Sequence, residues 1–498
     1  MSSLAFERPT TLEQALAAHA QSTNKTEGDG PRWLAGGQSL IAAMKLGLAS
    51  PCLLIDLQQI PGLRDIQLDD HDGHAPTLHI GAMATHASVA ASGTVRQFAP
   101  GLATLAAGIA DAQVRQMGTL GGSLAHHDPA ACWPAGVLAA GAIIVTNTRE
   151  ICADAFFQGV YGTALARDEL ITGVRFAALK GLHYLKFEQP ASRFALTGVA
   201  VALTLDPTQP VRVAVTGLGL GVVRWPSVER LLGQNFSLPA TPSDDIDLGR
   251  LEALTDLHAS ADYRRHLAWV LTRRCVVALG GEVRPQQPPA ASDKRPDKPA
   301  ADSADAAIPN GFGGVQTLIG EPARVWQTLL APQHLQSSIP GCESLAQTRP
   351  DAYEAVVKVG LGPVAVRFKS EVLLQDLQPP KSMTLIFRGH AGALGASQGS
   401  ARVRLEPINA AHTQLHWWVQ VQLSGRLAQL GNRLVEAAAR KLSVEFFERI
   451  GNALQADHGQ GLHVSQQSAS VPPPSLIKPQ NAAWWRRWLQ SLFSRFGK

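Results

Sequence analysis

Apolar and polar positions recur with two periods along this chain, and the switches between them mark its organisation. A helical period over Glu13–Ala20 gives way at Arg32–Ala35 to a short apolar run that reads as a strand. Pro51–Leu57 and Leu78–Ile80 read as further strands, with the polar Asp69–His74 segment as a hairpin or loop between them. Pro100–Ile109 predicts a helix that delivers the chain to Gly118–Ser123, and the apolar run Gly136–Thr146 predicts a strand-rich piece of sheet core. His183–Leu205 alternates as antiparallel strands, Val211–Leu220 pairs with them, and Leu251–Leu279 is mostly helical. Arg284–Pro309 breaks the pattern. Proline, alanine, aspartate and lysine dominate there, and such a segment cannot bury enough surface to offset its ordering entropy.

Beyond that boundary Val315–Ile319 predicts a strand and Pro322–Leu330 a helix with Trp326 inward. Strands follow at Ala352–Leu361, Val364–Leu374, Met383–Gly389, Gly399–Glu406 and Thr413–Leu423, and Leu427–Leu454 predicts one long helix. A curved antiparallel sheet wrapped on a long helix is a helix-grip design with an apolar cavity between the two. A second polar stretch runs to about Asn481. After it, Trp484, Trp485, Trp488, Leu489, Leu492, Phe493 and Phe496 recur at helical spacing opposite Arg486, Arg487 and Arg495. A fifteen-residue helix rises only about 22 Å, short of the roughly 30 Å hydrocarbon core, so this segment reads as a membrane-surface helix.

At 498 residues the chain exceeds one ordinary core, and two to four domains are expected. The formal net charge of +4 resides in the last fifteen residues, in Arg486, Arg487, Arg495 and Lys498. The remainder is neutral, which argues against a nucleic-acid partner. The five cysteines are scattered without a Cys-x-x-Cys pair, which disfavours a zinc ribbon, an iron–sulfur run or a redox dithiol. Met1–Gln21 lacks a basic start followed by an apolar block, so no export signal is expected. The aspartate cluster at Asp69–Asp72 lacks the spacing of a calcium loop. Neither a catalytic residue nor a metal site is assigned.

The candidate chemistry lies in two glycine-paired loops about eighty residues apart, Ala35-Gly36-Gly37-Gln38-Ser39-Leu40 and Gly118-Thr119-Leu120-Gly121-Gly122-Ser123. Glycine lets bare N–H groups approach a ligand, and a nest of N–H groups suits a pyrophosphate. Neither loop has the Gly-x-Gly-x-x-Gly spacing of a Rossmann turn, and Gly217–Gly221 reads as a turn or bulge. With Ile55-Asp56-Leu57, Gly81–His86, Val114–Gly122, Lys186–Ala195 and Ala259–His266, these loops resemble the FAD-binding medium subunit of molybdenum hydroxylases, the carbon monoxide dehydrogenase and xanthine dehydrogenase family. The resemblance covers about Met1 to Val283.

That resemblance implies an α+β protein with a p-cresol methylhydroxylase-type FAD-binding fold over residues 1–178 and a flavoprotein C-terminal subdomain over 179–283. It implies FAD as cofactor, its pyrophosphate across Ala35, Gly36, Gly37, Gln38, Ser39 and Leu40 and across Thr119, Gly121, Gly122 and Ser123. Ile109 and Ala110 fall where the family places residues against the flavin, and Met83 and Thr85 match its adenine-side strand. Tyr184 falls where a tyrosine covers the ring, and Lys186 matches a lysine beside the pyrimidine; a solvated strand lysine is the alternative. Asp128-Pro129 is kept, but Cys132 stands where relatives carry an aspartate that holds ribityl or ribose hydroxyls, leaving His126, His127 or Asp128 to take over. Arg115 is a candidate to steady the second loop's carbonyls or a phosphate.

Val325-Trp326, Ile339–Glu343, Val357–Pro363 and Ser424–Gly431 resemble the G-type accessory protein of carbon monoxide dehydrogenases, a START-like, polyketide-cyclase-like fold. The implied layout is a linker over 284–309, a START-like helix-grip domain over 310–456, a tether over 457–482 and an amphipathic membrane-surface helix over 483–498. The implied function is electron transfer from the [2Fe–2S] small subunit, itself fed by a molybdopterin-binding large subunit, through FAD to an acceptor such as membrane quinone. The expected location is cytoplasmic, peripheral to the inner face of the membrane. The rival reading is a non-catalytic recruitment or assembly factor with a decayed flavin site.

Overall fold

The computed structural model describes residues 4–23, 30–70, 75–242, 246, 251, 253–256, 258–284, 312–361, 364–409, 411–425, 427 and 432–459. The interdomain linker, most of the tether and the tryptophan-rich segment read from the sequence lie outside the described residues. A first compact unit spans Met1–Leu454.

The N-terminal part is built on two sheets. Three parallel strands, Ala5–Glu7, Leu53–Asp56 and Pro31–Leu34, lie in that spatial order. Parallel strands need crossovers, and the helix Leu12–Thr23 supplies the one between the two outer strands, burying Ala15 and Ala18 in a core with Leu53 and Ile55. Behind them stands an antiparallel sheet in the order Ile66–Asp69, Thr77–Gly81, Ile171–Ala177, Ile143–Thr146, Glu150–Cys152. The first two of these strands form the hairpin expected around Asp69–His74, of which residues 71–74 are outside the described set. A stack of short helices covers the sheet, and Leu78, Ile80, Val174 and Phe176 share one core with Leu102, Leu105 and Trp133.

Two expectations change here. The Gly136–Thr146 run is a strand only from Ile143; its first half belongs to the helix Trp133–Ala139, every residue of which is buried. A helix buried on all sides has no polar stripe, so its sequence resembles a core strand. The helix Pro100–Ala107 does not lead directly into the second glycine loop either. A second helix, Ala112–Met117, capped by Asp111 through Val114 N–H, intervenes.

Four antiparallel strands follow in the order Val223–Arg224, Val211–Thr216, Ala195–Thr204, Leu179–Glu188, with the helix Ala261–Ala278 packed against them. That helix begins ten residues later than the sequence pattern suggests, where Ser260 caps it through Tyr263 N–H. Arg264 is wholly buried there, donating to the carbonyls of Leu196 and Gly217 and to Asp256.

The C-terminal part is a seven-stranded antiparallel sheet. Its spatial order is Phe312–Ile319, His412–Leu423, Ala396–Asn409, Ser382–His390, Val364–Gln378, Ala352–Leu361, Cys342–Arg349. The helices Pro322–Leu330 and Asn432–Gly459 pack on one face, where Trp326, Met383, Trp417, Phe447 and Ile450 form a core. This is the expected grip, with one edge strand, Cys342–Arg349, that the sequence pattern did not show. Its exposed, poorly alternating side chains carry little signal. Strand alternation sends Lys369, Glu371, Arg388 and Gln398 to the opposite face, where they line a groove of about 1080 Å³. Among the described residues no helix is long and apolar enough to cross a membrane.

Candidate flavin site

The fold brings the two glycine loops into contact. Ala35–Ser39 leaves the strand Pro31–Leu34 and runs into the short helix Leu40–Lys45. A Cβ on Gly36 would collide with the Met117 carbonyl just before the second loop, and one on Gly122 would sit 2.7 Å from Thr119 Oγ1 and 3.3 Å from the Ala35 Cβ. Gly37 takes φ of 71°, in the left-handed region, to turn the chain into its helix. The glycines therefore serve the mutual approach of the loops as well as any ligand.

The second loop is fixed by the protein itself. Thr119 caps the helix Leu120–His126 by accepting from Gly122 N–H at 3.2 Å. Leu120 N–H donates to Ala84 O, Gly121 N–H to Ala82 O at 2.8 Å and Ser123 N–H to Thr119 O. These amides are committed, so the nest of free donors expected in this loop is not its main feature. Below it, His86 N–H donates to Gly118 O, and Trp133 Nε1–H donates to His86 Nδ1 at 3.0 Å. Burial, with a smaller contribution from Arg115, pushes His86 down to about 4, so it is neutral at pH 7. Sequence reasoning missed this support, because a buried His–Trp pair has no motif.

Arg115 Nη1 donates to the carbonyls of Ile109 (2.9 Å) and Ala110 (2.7 Å), so it steadies that turn rather than the glycine loop. Ala110 has φ of 43°, a conformation uncommon for a residue with a side chain, and the two hydrogen bonds from Arg115 Nη1 explain how it persists.

The residues around Cys132 divide differently from expectation. Cys132 is buried at the start of the helix Trp133–Ala139, its thiol beside the Tyr184 hydroxyl and near Lys186. Burial raises the Cys132 thiol, and it raises the Tyr184 phenol well above its ordinary value. Asp128 is already engaged: its carboxylate accepts from Ala130 N–H at 2.8 Å and from Tyr161 Oη–H at 3.0 Å. His127 Nδ1 lies 2.8 Å from Gly162 O, and the His126 ring packs on Tyr161. Lys186 is not a solvated strand lysine. Its side chain is 9% exposed, and Nζ donates to Arg193 O at 2.6 Å and lies 3.4 Å from Glu188.

Residues 2–177 match the family model of the FAD binding domain in molybdopterin dehydrogenase, and residues 316–455 match that of the carbon monoxide dehydrogenase CoxG proteins. The nicotine 6-hydroxylase medium subunit of Paenarthrobacter nicotinovorans is 36% identical over 257 residues, which cover 50% of this chain and 89% of that protein. The carbon monoxide dehydrogenase medium chain of Hydrogenophaga pseudoflava is 33% identical over 284 residues, covering 55% and 96%. The 6-hydroxypseudooxynicotine dehydrogenase complex subunit alpha of P. nicotinovorans is 30% identical over 293 residues, covering 56% and 97%. With two glycine loops folded into one site and matches that span nearly the whole of each relative, this chain belongs to the FAD-binding medium subunits of carbon monoxide dehydrogenase and related molybdenum hydroxylases.

Proposed function

We propose that this chain passes electrons from a partner's [2Fe–2S] clusters through FAD to an acceptor such as membrane quinone, and that its C-terminal domain recruits the assembly to the inner face of the membrane or takes up the quinone. The observation that carries the flavin half is the meeting of Gly36 with Met117 and of Gly122 with Ala35, across about eighty residues of chain, within the segment that matches an FAD-binding domain. FAD, when bound, supplies a centre that accepts single electrons and releases two. The first loop, Ala35–Leu40, would hold the pyrophosphate with its amides and the Ser39 hydroxyl. Thr119, Gly121, Gly122 and Ser123 would form the wall against which it lies. Ile109 and Ala110, fixed by Arg115, would border the ring, and Lys186 would set a cation beside it. Tyr184 and Cys132 would back the pocket from the core.

The molybdopterin-binding large subunit and the [2Fe–2S] small subunit are the partners this reading requires, because the scattered cysteines of this chain suit neither centre. The match to the CoxG family and the tryptophan–arginine pattern of the last fifteen residues support a membrane-surface role.

One observation favours the rival, a recruitment factor with a decayed flavin site. Cys132 replaces the family aspartate while Asp128 is engaged by Tyr161 and Ala130. Flavin absorbance of the purified chain and titration with FAD decide between them. A yellow protein that Gly37→Val or Gly122→Val renders colourless supports electron transfer. A colourless protein that takes up no added FAD leaves the rival. For the C-terminal domain, a full chain whose reduced flavin is reoxidised by quinone vesicles, and a truncation of residues 483–498 that no longer sediments with anionic vesicles, are the expected results.

A further inference from the structure

The helix behind the first glycine loop lacks the means to stand alone. Leu40–Lys45 has six residues, far below the length at which an isolated helix persists in water, and Ser39 makes no side-chain cap bond. Its order must come from packing. The apolar side chains of this helix and of the turn after it do not join the core of the parallel sheet. Ala43, Leu48 and Ala49 are buried in a separate cluster with Val366, Phe368, Leu427 and Ala438 of the C-terminal domain, and Leu40 and Met44 pack against the same cluster. Val366 and Phe368 lie two apart on one strand, on the face that carries Leu374 and, across the register, Leu385. That is the inner face of the grip, so this end of the C-terminal domain is filled by the flavin domain's own helix.

The first loop is thus held at two ends by two different bodies. Ala35 packs at its start against the N-terminal core with Trp33, and Leu40 packs at its end against the C-terminal domain. Between them Gln38 and Ser39 are exposed. We infer that the C-terminal domain is a clamp on the phosphate loop: its docking on Leu40–Ala49 orders the loop, so that FAD affinity and domain docking are thermodynamically coupled. This rests on the flavin reading above. By linkage the coupling is reciprocal, and FAD must tighten the seam by the factor by which the seam tightens FAD.

The test uses the full-length chain. FAD titration by fluorescence quenching compares the wild type with Phe368→Ala and Val366→Asp, both of which lie outside the glycine loops. Leu405→Val, in the core of the same domain but outside the seam, is the control. Both seam variants are expected to raise the FAD dissociation constant by about tenfold, equivalent to ~1.4 kcal/mol, with the control unchanged. Should Val366→Asp fail to fold, Leu48→Ala probes the seam from the other side. Hydrogen exchange gives the reciprocal measurement: adding FAD to the wild type is expected to slow exchange at Val366–Phe368 and not at Leu415. Seam variants that bind FAD as the wild type does, or exchange at Val366–Phe368 indifferent to FAD, overturn the clamp and leave the flavin reading standing. A wild type that binds no FAD overturns both.

Discussion

The two glycine loops look alike as sequence and differ as structure. The second is over-determined: Thr119 caps it, Ala82 and Ala84 accept its amides, and Leu120 and Gly121 are buried. The first has an exposed Gln38–Ser39 crest, no side-chain cap and a helix too short to support itself. One loop is a wall and the other is the adjustable part. Under the flavin reading proposed above, a site built this way would concentrate its rigidity on one side of the ligand and leave the other side to be ordered.

The contrast can be broken hardest at Gly121. A Cβ there would lie 2.5 Å from the Ala82 Cβ and 2.9 Å from its carbonyl, and neither atom can swing aside. Gly121→Ala is expected to cost about 3 kcal/mol, at the upper end of overpacking penalties, and to abolish FAD uptake with the fold weakened. Urea denaturation measures it; a cost under ~1 kcal/mol would show that the second loop yields.

Acid tests the same wall through His86. Its folded value of about 4 lies below the ordinary 6.5, so protonation favours the unfolded chain. The stability from keeping it neutral is whole above pH 6.5 and is lost as pH falls from 6.5 to 4, to a limit of ~3 kcal/mol. His86→Gln keeps an acceptor for Trp133 Nε1–H and removes the titration. Its stability is expected to fall less steeply than the wild type's over that window, and parallel profiles would refute the assignment.

The smallest effects sharpen the comparison most. Thr119→Ala removes a cap and is expected to lower stability by ~1 kcal/mol. Ser39→Ala removes a hydroxyl that caps nothing, and is expected to change stability by less than ~0.5 kcal/mol while weakening FAD binding. Equal stability losses in the two variants would erase the distinction between wall and crest.

Much of the architecture was open to reading because period survives in sequence. The alternation of the strands from Ala352 to Leu423 and the apolar runs at Pro31–Leu34 and Leu53–Asp56 appear where expected. The helix Trp133–Ala139 reads as strand because complete burial erases the amphipathic stripe on which the reading depends. At the site, motif residues were legible and their employment was not. That Asp128 is held by Tyr161 is a meeting between separated segments, while Arg115 serving Ile109 and Ala110 and Lys186 reaching Arg193 O depend on how a local turn folds back, which no motif records.

The two glycine loops, the family they belong to, the neutral body and the period of each element are legible from residue identities and spacing alone, since they are properties of the chain before it folds. Which amides of the second loop are already committed, and which body supports the helix behind the first, became determinate only on folding. A hydrogen bond or a buried face requires two partners, and those of Leu120, Gly121 and the helix Leu40–Lys45 stand tens to hundreds of residues away, where no local pattern records them.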